Sequence, residues 1–298
     1  MRDKLLLIIV GFLFSCNHSQ EIKPLMIAHR GIPSILPEES ILGYQAALEY
    51  DIDYLEADIQ RTKDSVLVCF HDENLQRTTN VEEIFPSRKH AGISAFTFEE
   101  LQKLDAGTYL NKRFKNTRIL KLKDLITLVK TQKKEIGLYL ETKKASLFPG
   151  IELDIFNLLK AHDMIGYYPS GKAKIILQTF DKNSLPLLHK YFPNQPLCWL
   201  IYLEPSSLKS LDEKVVEKHL KYGLKNGASI IGPSIAGPPN NYPNLMSTEL
   251  INLYKSFGYQ IHAYTFMDIE TMRLYKNKVD GYFTDIVHLS SASKKQAP

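Results

Sequence analysis

The sequence predicts an α/β fold, a (β/α)8 TIM barrel with an insertion after the second strand. Three observations carry this. About eight short β-rich runs alternate with amphipathic helical stretches between residues 25 and 284. Such alternation implies parallel strands joined by right-handed crossovers, and about eight of these units close most economically into a barrel. No G-x-G-x-x-G or Walker-type loop follows the first run, which counts against the competing architecture, an open doubly wound sheet built around a nucleotide.

The strands are expected at residues 25–29, 54–60, 136–141, 174–178, 197–202, 229–232, 260–265 and 281–284. Each is short, rich in β-branched or aromatic residues and bounded by turn formers. Helical periodicity marks residues 40–49, 122–130, 151–161, 182–191, 211–222, 248–257 and 269–275. One interval breaks the rhythm. Residues 66–118 hold an extra strand-like run at 66–70, a polar stretch rich in Thr, Asn and Glu, and a short helical pattern at 98–104. This reads as an insertion, about residues 72–118, hanging over the C-terminal face of the barrel, where the chemistry of such folds resides.

The 298 residues are 44% hydrophobic and 23% charged, enough apolar material for one sizeable core, and no linker or repeat marks a domain boundary. The net charge of +4 is too small and too dispersed for a nucleic-acid surface. At the start of the chain, Arg2 and Lys4 precede an apolar run at residues 5–14 that is too short to span a bilayer and has the form of a secretory signal. It ends in Leu13-Phe14-Ser15-Cys16, which resembles a bacterial lipobox. The expected organisation is therefore a lipoprotein-type signal at 1–15, a tether at 16–23, the barrel at 24–290 and a tail at 291–298. Lipidation of Cys16 would place an exported protein on a membrane of the cell envelope. Phe14 stands where a small or aliphatic residue is usual, so simple cleavage to a periplasmic or secreted form is the alternative. Cys69 and Cys198 lie in apolar strand-like runs and read as buried free thiols, with a disulfide as the alternative.

Charged residues at the ends of apolar strands carry the chemistry, because an unpaired buried charge is costly. With a strand period of two, Glu56 and Asp58 share a face, and two adjacent carboxylates repel unless a cation or proton lies between them. Only oxygen ligands are on offer, which suits one hard divalent cation, Ca2+ or Mg2+. Glu141 ends the third strand of the barrel and Lys143 follows with the same parity. His29 and His71 together supply what phosphodiester hydrolysis needs, one group to take a proton from the nucleophile and one to give a proton to the leaving alkoxide. Asp72 follows His71 and could orient it, and Arg30 offers a planar fork for a phosphate.

Several segments then become recognisable: Ile27-Ala28-His29-Arg30-Gly31, Pro37-Glu38-Glu39-Ser40, residues 55–64, His71-Asp72, Arg77-Thr78-Thr79, Leu140-Glu141-Thr142-Lys143, Gln178-Thr179-Phe180-Asp181 and residues 280–285. In this order they resemble the glycerophosphodiester phosphodiesterase family over nearly all of the chain after the signal. The resemblance implies a (β/α)8 barrel, His29 and His71 as the acid/base pair, and Glu56, Asp58 and Glu141 as metal ligands. It also implies that Arg30 contacts the phosphate, that Lys143 lies beside the metal, and that Lys143 and Glu38 join Arg30 in binding the substrate or its phosphate. The implied products are glycerol 3-phosphate and an alcohol. Glu39 departs from the family's usual Asn, and Tyr264 and Phe266 from its common Trp and Asn, which leaves substrate choice open.

Two alternatives stand beside this reading: a lysophospholipase D or phosphoinositide-type phospholipase, and an exported lipoprotein that binds glycerophosphodiesters without turnover. The partner expected is a small-molecule substrate, with a membrane contact through the anchor and a monomer by default.

Overall fold

The computed structural model describes residues 23–202, 213–235 and 243–290. The expected signal, Cys16 and most of the tether, and the tail at 291–298, lie outside the described residues. The strands are β1 (Leu25–Ala28), β2 (Tyr54–Arg61), β3 (Leu67–Cys69), β4 (Leu120–Lys121), β5 (Gly137–Thr142), β6 (Ile175–Thr179), β7 (Leu197–Ile201), β8 (Ile230–Pro233), β9 (Gln260–Phe266) and β10 (Gly281–Thr284). The helices are α1 (Ile41–Ala47), α2 (Val81–Ile84), α3 (Phe98–Leu101), α4 (Leu122–Lys130), α5 (Ile151–Ala161), α6 (Ser184–Tyr191), α7 (Glu213–Lys225), α8 (Thr248–Ser256), α9 (Ile269–Leu274) and α10 (Val287–Ser290).

Strands β1, β2 and β5 to β10 pair in parallel, and β1 closes the ring because Ile27 aligns with both Phe283 of β10 and Tyr54 of β2. The expected barrel is therefore observed, and all eight of its strands overlap the predicted runs. Alternation divides their side chains between two cores. Leu55, Ala57, Ile59, Leu138, Leu140 and Leu177 face outward and pack in one buried cluster with helix residues such as Leu125, Ile155, Leu188 and Leu220. Ile27, Tyr54, Tyr139, Ile176, Cys198, Leu200 and Phe283 fill the barrel interior. Cys69 and Cys198 fall in separate clusters and are free buried thiols.

The insertion is built on the edge of β2. Only Tyr54 and Leu55 pair with β1, so the upper half of β2 is open to β3, which runs antiparallel with Ile59 opposite Cys69. β4 then pairs with β3, and Val68, Phe70, Leu75, Val81, Ile93, Phe96, Leu101, Leu104 and Ile119 form a small core of their own. Two-residue β4 and four-residue α2 and α10 are too short to show periodicity, and the sequence reading contains none of them. No helix among the described residues is long and apolar enough to cross a membrane.

Candidate active site

Inward parity turns from apolar to polar toward the C-terminal ends of the strands. Tyr54, Glu56 and Asp58 follow one another on β2, Tyr139, Glu141 and Lys143 on β5 and its exit, and Ile176, Gln178 and Phe180 on β6 and its exit. The chain leaves β1 through Arg30 at φ 50° and Gly31 at φ 92°. A Cβ at Gly31 would come within 2.8 Å of the Gly43 carbonyl carbon, so this tight exit requires glycine. Arg30 and Glu39 (φ 55°) are non-glycine residues in the left-handed region, a backbone cost of roughly 1–3 kcal/mol each that clusters at functional sites.

Each histidine is fixed by a carboxylate at Nδ1. His29 lies 2.6 Å from Asp285 and His71 2.7 Å from Asp72. A carboxylate at Nδ1 favours the tautomer with its proton there and leaves Nε2 to exchange a proton with a substrate. Both rings line one small cavity together with Arg30, Glu56, Glu141, Lys143 and Gln178. Burial, with Arg30 nearby, brings His71 down to about 4 despite the opposing carboxylates of Asp58 and Asp72.

The carboxylates are held just as firmly. Glu56 accepts from the Arg30 backbone N–H at 2.9 Å and from Gln178 Nε2 at 3.1 Å. Glu39 accepts from the Asp58 backbone N–H at 2.9 Å and from the Tyr44 hydroxyl at 2.6 Å. Asp58, 1% exposed, has Lys143 Nζ at 3.2 Å and Arg30 Nε at 3.1 Å, yet neither of its oxygens has a partner in hydrogen-bonding geometry. Lys143 also reaches Glu141 at 3.0 Å, so its ammonium bridges Asp58 and Glu141. Burial would raise Asp58, but Lys143 and Arg30 hold it well below the usual carboxylate range. Burial and the neighbouring Asp58 push Glu56 and Glu39 well up, and burial carries Glu141 to about 7 against the pull of Lys143.

A divalent cation fits these residues. Glu39, Glu56 and Asp58 bring one oxygen each within 4.8 Å of one another. The buried carboxylates of Glu39, Glu56, Asp58 and Glu141 face two half-buried bases, Arg30 and Lys143, so a further positive charge would let all four stay ionised. The donors are all oxygen, as a hard ion prefers. The three expected ligands come together: Glu56 and Asp58 share a face of β2, and Glu141 lies beside Asp58 across the β2–β5 pairing, interacting with it directly and sharing Lys143. Glu39 is a further carboxylate grouped with Glu56 and Asp58.

Glu38 lies beside Arg30, the expected phosphate contact. It accepts from Arg77 at 2.6 and 2.8 Å and from Arg30 at 3.4 Å, so it holds two arginines, and its own charge would repel a phosphate. Sequence reasoning also left Asp285, Gln178 and Glu39 out of the site residues. Gln178 and Asp285 carried a usable signal, since each is a polar residue of inward parity at the C-terminal end of its strand. Glu39 carried no periodicity, because a loop has no parity to read; its place in the Pro37-Glu38-Glu39-Ser40 segment was the signal at that position.

A family model described as the glycerophosphoryl diester phosphodiesterase family matches residues 29–289. Among similar proteins, a glycerophosphodiester phosphodiesterase of Bacillus subtilis is 31% identical over 277 residues, covering 91% of this chain and 86% of the relative. One from Caldanaerobacter subterraneus is 29% identical, covering 89% and 95%. An Oleispira antarctica phosphodiesterase solved in complex with the product sn-glycerol-3-phosphate shares the fold at a TM-score of 0.68, with 21% identity over 90% of this chain and 95% of that one. With the family's match running from the histidine that follows β1 to the helix after β10, the chain belongs to the glycerophosphoryl diester phosphodiesterase family and is an enzyme of that class.

Proposed function

We propose that the protein hydrolyses glycerophosphodiesters to glycerol 3-phosphate and an alcohol, with His29 and His71 exchanging protons and a divalent cation, Ca2+ or Mg2+, held by Glu56, Asp58 and neighbouring carboxylates. The observation that carries this reading is the pair of imidazoles, each tied at Nδ1 to a carboxylate, lining one cavity beside a surplus of buried acids. The product named for the Oleispira antarctica protein supports the same outcome here.

Arg30 and Lys143 present positive charge to the non-bridging phosphate oxygens, while Glu38 keeps Arg30 in place. One imidazole takes the proton from the attacking water at Nε2 and the other delivers one to the departing oxygen, each steadied as a cation by its carboxylate. When bound, the cation polarises the phosphate and lowers the pKa of the nucleophile. Release of glycerol 3-phosphate from glycerophosphoethanolamine should require added metal and fall by roughly 10²–10⁴ in His29→Ala and in His71→Ala. Equal turnover in EDTA, or in either variant, would remove the reading.

The same proposal places the enzyme on a membrane through Cys16, supported by the basic, apolar and lipobox-like order of residues 2–16. Labelled palmitate should enter the wild-type chain and not Cys16→Ala; equal labelling, or none, refutes the anchor.

A further inference from the structure

Two cavities meet at the histidine pair, and they differ in size and lining. The inner one measures about 40 Å³ and includes His29, Arg30, Glu56 and Gln178, room for roughly three waters at the ~10–15 Å³ that each needs. The outer chamber measures about 1140 Å³, beyond the ~300–1,000 Å³ typical of sites for drug-sized ligands. His71, Glu141, Lys143, Phe180, Leu200 and Tyr264 border both, whereas His29 borders only the inner one. A phosphorus between the histidines would therefore place one of its two ester groups in each space.

The chamber has two unlike walls. One is apolar: Phe180, Trp199, Leu200, Ile201, Tyr202 and Tyr264. Phe180 and Tyr202 remain 39% and 40% exposed, and Phe180 stands edge-on to Tyr264 with ring centroids 5.7 Å apart. The other wall is charged but closed on itself. Asp72 is taken by Arg77, Glu73 by Lys144, Glu82 by Lys89 at 4.0 Å and Glu141 by Lys143. Asp181 accepts from the backbone N–H groups of Ser146 and Asn183. Among the described residues, then, each carboxylate lining the chamber already has a donor or a base.

We infer that the alcohol released is large and apolar, an alkyl- or acyl-bearing alcohol lying on the Phe180–Tyr202 wall, while the inner cavity takes only unacylated glycerol. This rests on the proposed function and names its substrate class. The reaction remains hydrolysis: water forms the new P–O bond, the P–O bond to the chamber alcohol breaks, and a proton passes to the departing alkoxide. The opposite placement, with an acyl chain on the retained glycerol as a lysophospholipase D would need, has only the inner 40 Å³ for that chain.

The test is a series of sn-glycerol 3-phosphate diesters of ethanol, hexanol and decanol, together with glycerophosphocholine and its neutral 3,3-dimethylbutyl isostere. KM should fall by roughly tenfold or more from ethyl to decyl as methylenes are buried, and that ratio should shrink in Phe180→Ala and Tyr202→Ala. The neutral isostere should be used at least as well as the choline ester. A KM flat with chain length, a preference for choline, or conversion of lysophosphatidylcholine to lysophosphatidic acid overturns the inference. Calorimetric binding of the same series to His29→Ala separates the two readings. If the wild-type protein turns over nothing, the hydrolase reading falls, while a Kd that drops with chain length upholds the chamber and a flat Kd overturns it.

Discussion

At the scale of residues, the site is a set of side chains each fixed by a partner from a neighbouring strand or loop. Asp285 holds His29 at 2.6 Å and contributes nothing else to the cavity. Asp285→Asn should keep the fold and KM while lowering kcat by roughly tenfold to a hundredfold, inside the ~10²–10⁴ that a positioned proton-transfer group supplies; a fall confined to KM would show that Asp285 does not act through His29. His262 makes a separate prediction. It is 1% exposed in the barrel, close to Tyr139, whose hydroxyl lies 3.1 Å from Nδ1, while Nε2 has no partner. Burial lowers it from 6.5 to about 3. The unfolded chain thus takes up a proton near pH 6.5 that the folded protein refuses until about pH 3. Above that window His262 contributes no pH dependence, and within it stability falls as pH falls, by several kcal/mol in order of magnitude at its lower end. Urea unfolding between pH 7 and pH 4 should lose part of this slope in His262→Phe; an unchanged slope would show that other groups produce it.

At the scale of elements, the insertion behaves as a small sheet-and-helix unit docked on β2. Phe96, fully buried, lies under the Arg88 guanidinium at 4.3 Å and 5.3 Å from the Phe85 ring. Thr97 and Glu100 form a capping box that starts α3. Because this core is separate from that of the barrel, Phe96→Ala should cost about 3–5 kcal/mol in the region that carries His71, Asp72 and Arg77. Hydrogen exchange should then speed up in residues 66–119 and remain slow in β6 to β8; uniform acceleration would show that the insertion and barrel unfold as one unit.

At the scale of the whole molecule, closure of the ring forces the carboxylates together. Once β1 pairs with β2 and β10, Glu39, Glu56, Asp58 and Glu141 are buried around two bases, a crowding of like charge that the proposed cation would relieve. Saturating Mg2+ or Ca2+ should raise Tm by several degrees, since a ligand at about 100 times its Kd adds roughly 2.7 kcal/mol, and EDTA should reverse it. Glu56→Gln should blunt the rise; an equal rise in that variant would place the cation elsewhere.

The sequence by itself determined the barrel and most of its polar rung. Strand alternation is a local property, so the parity of Glu56 with Asp58 and of Glu141 with Lys143 was legible before any contact was known. The same rule reached Gln178 and Asp285, whose inward parity went unused. Only the tertiary structure decided which carboxylates are buried together, how Lys143 bridges Asp58 and Glu141, and that Glu38 holds arginines. It also decided where the outer chamber opens. Those outcomes depend on loops brought together by ring closure, and loop residues such as Glu38 and Glu39 have no period from which a direction can be read.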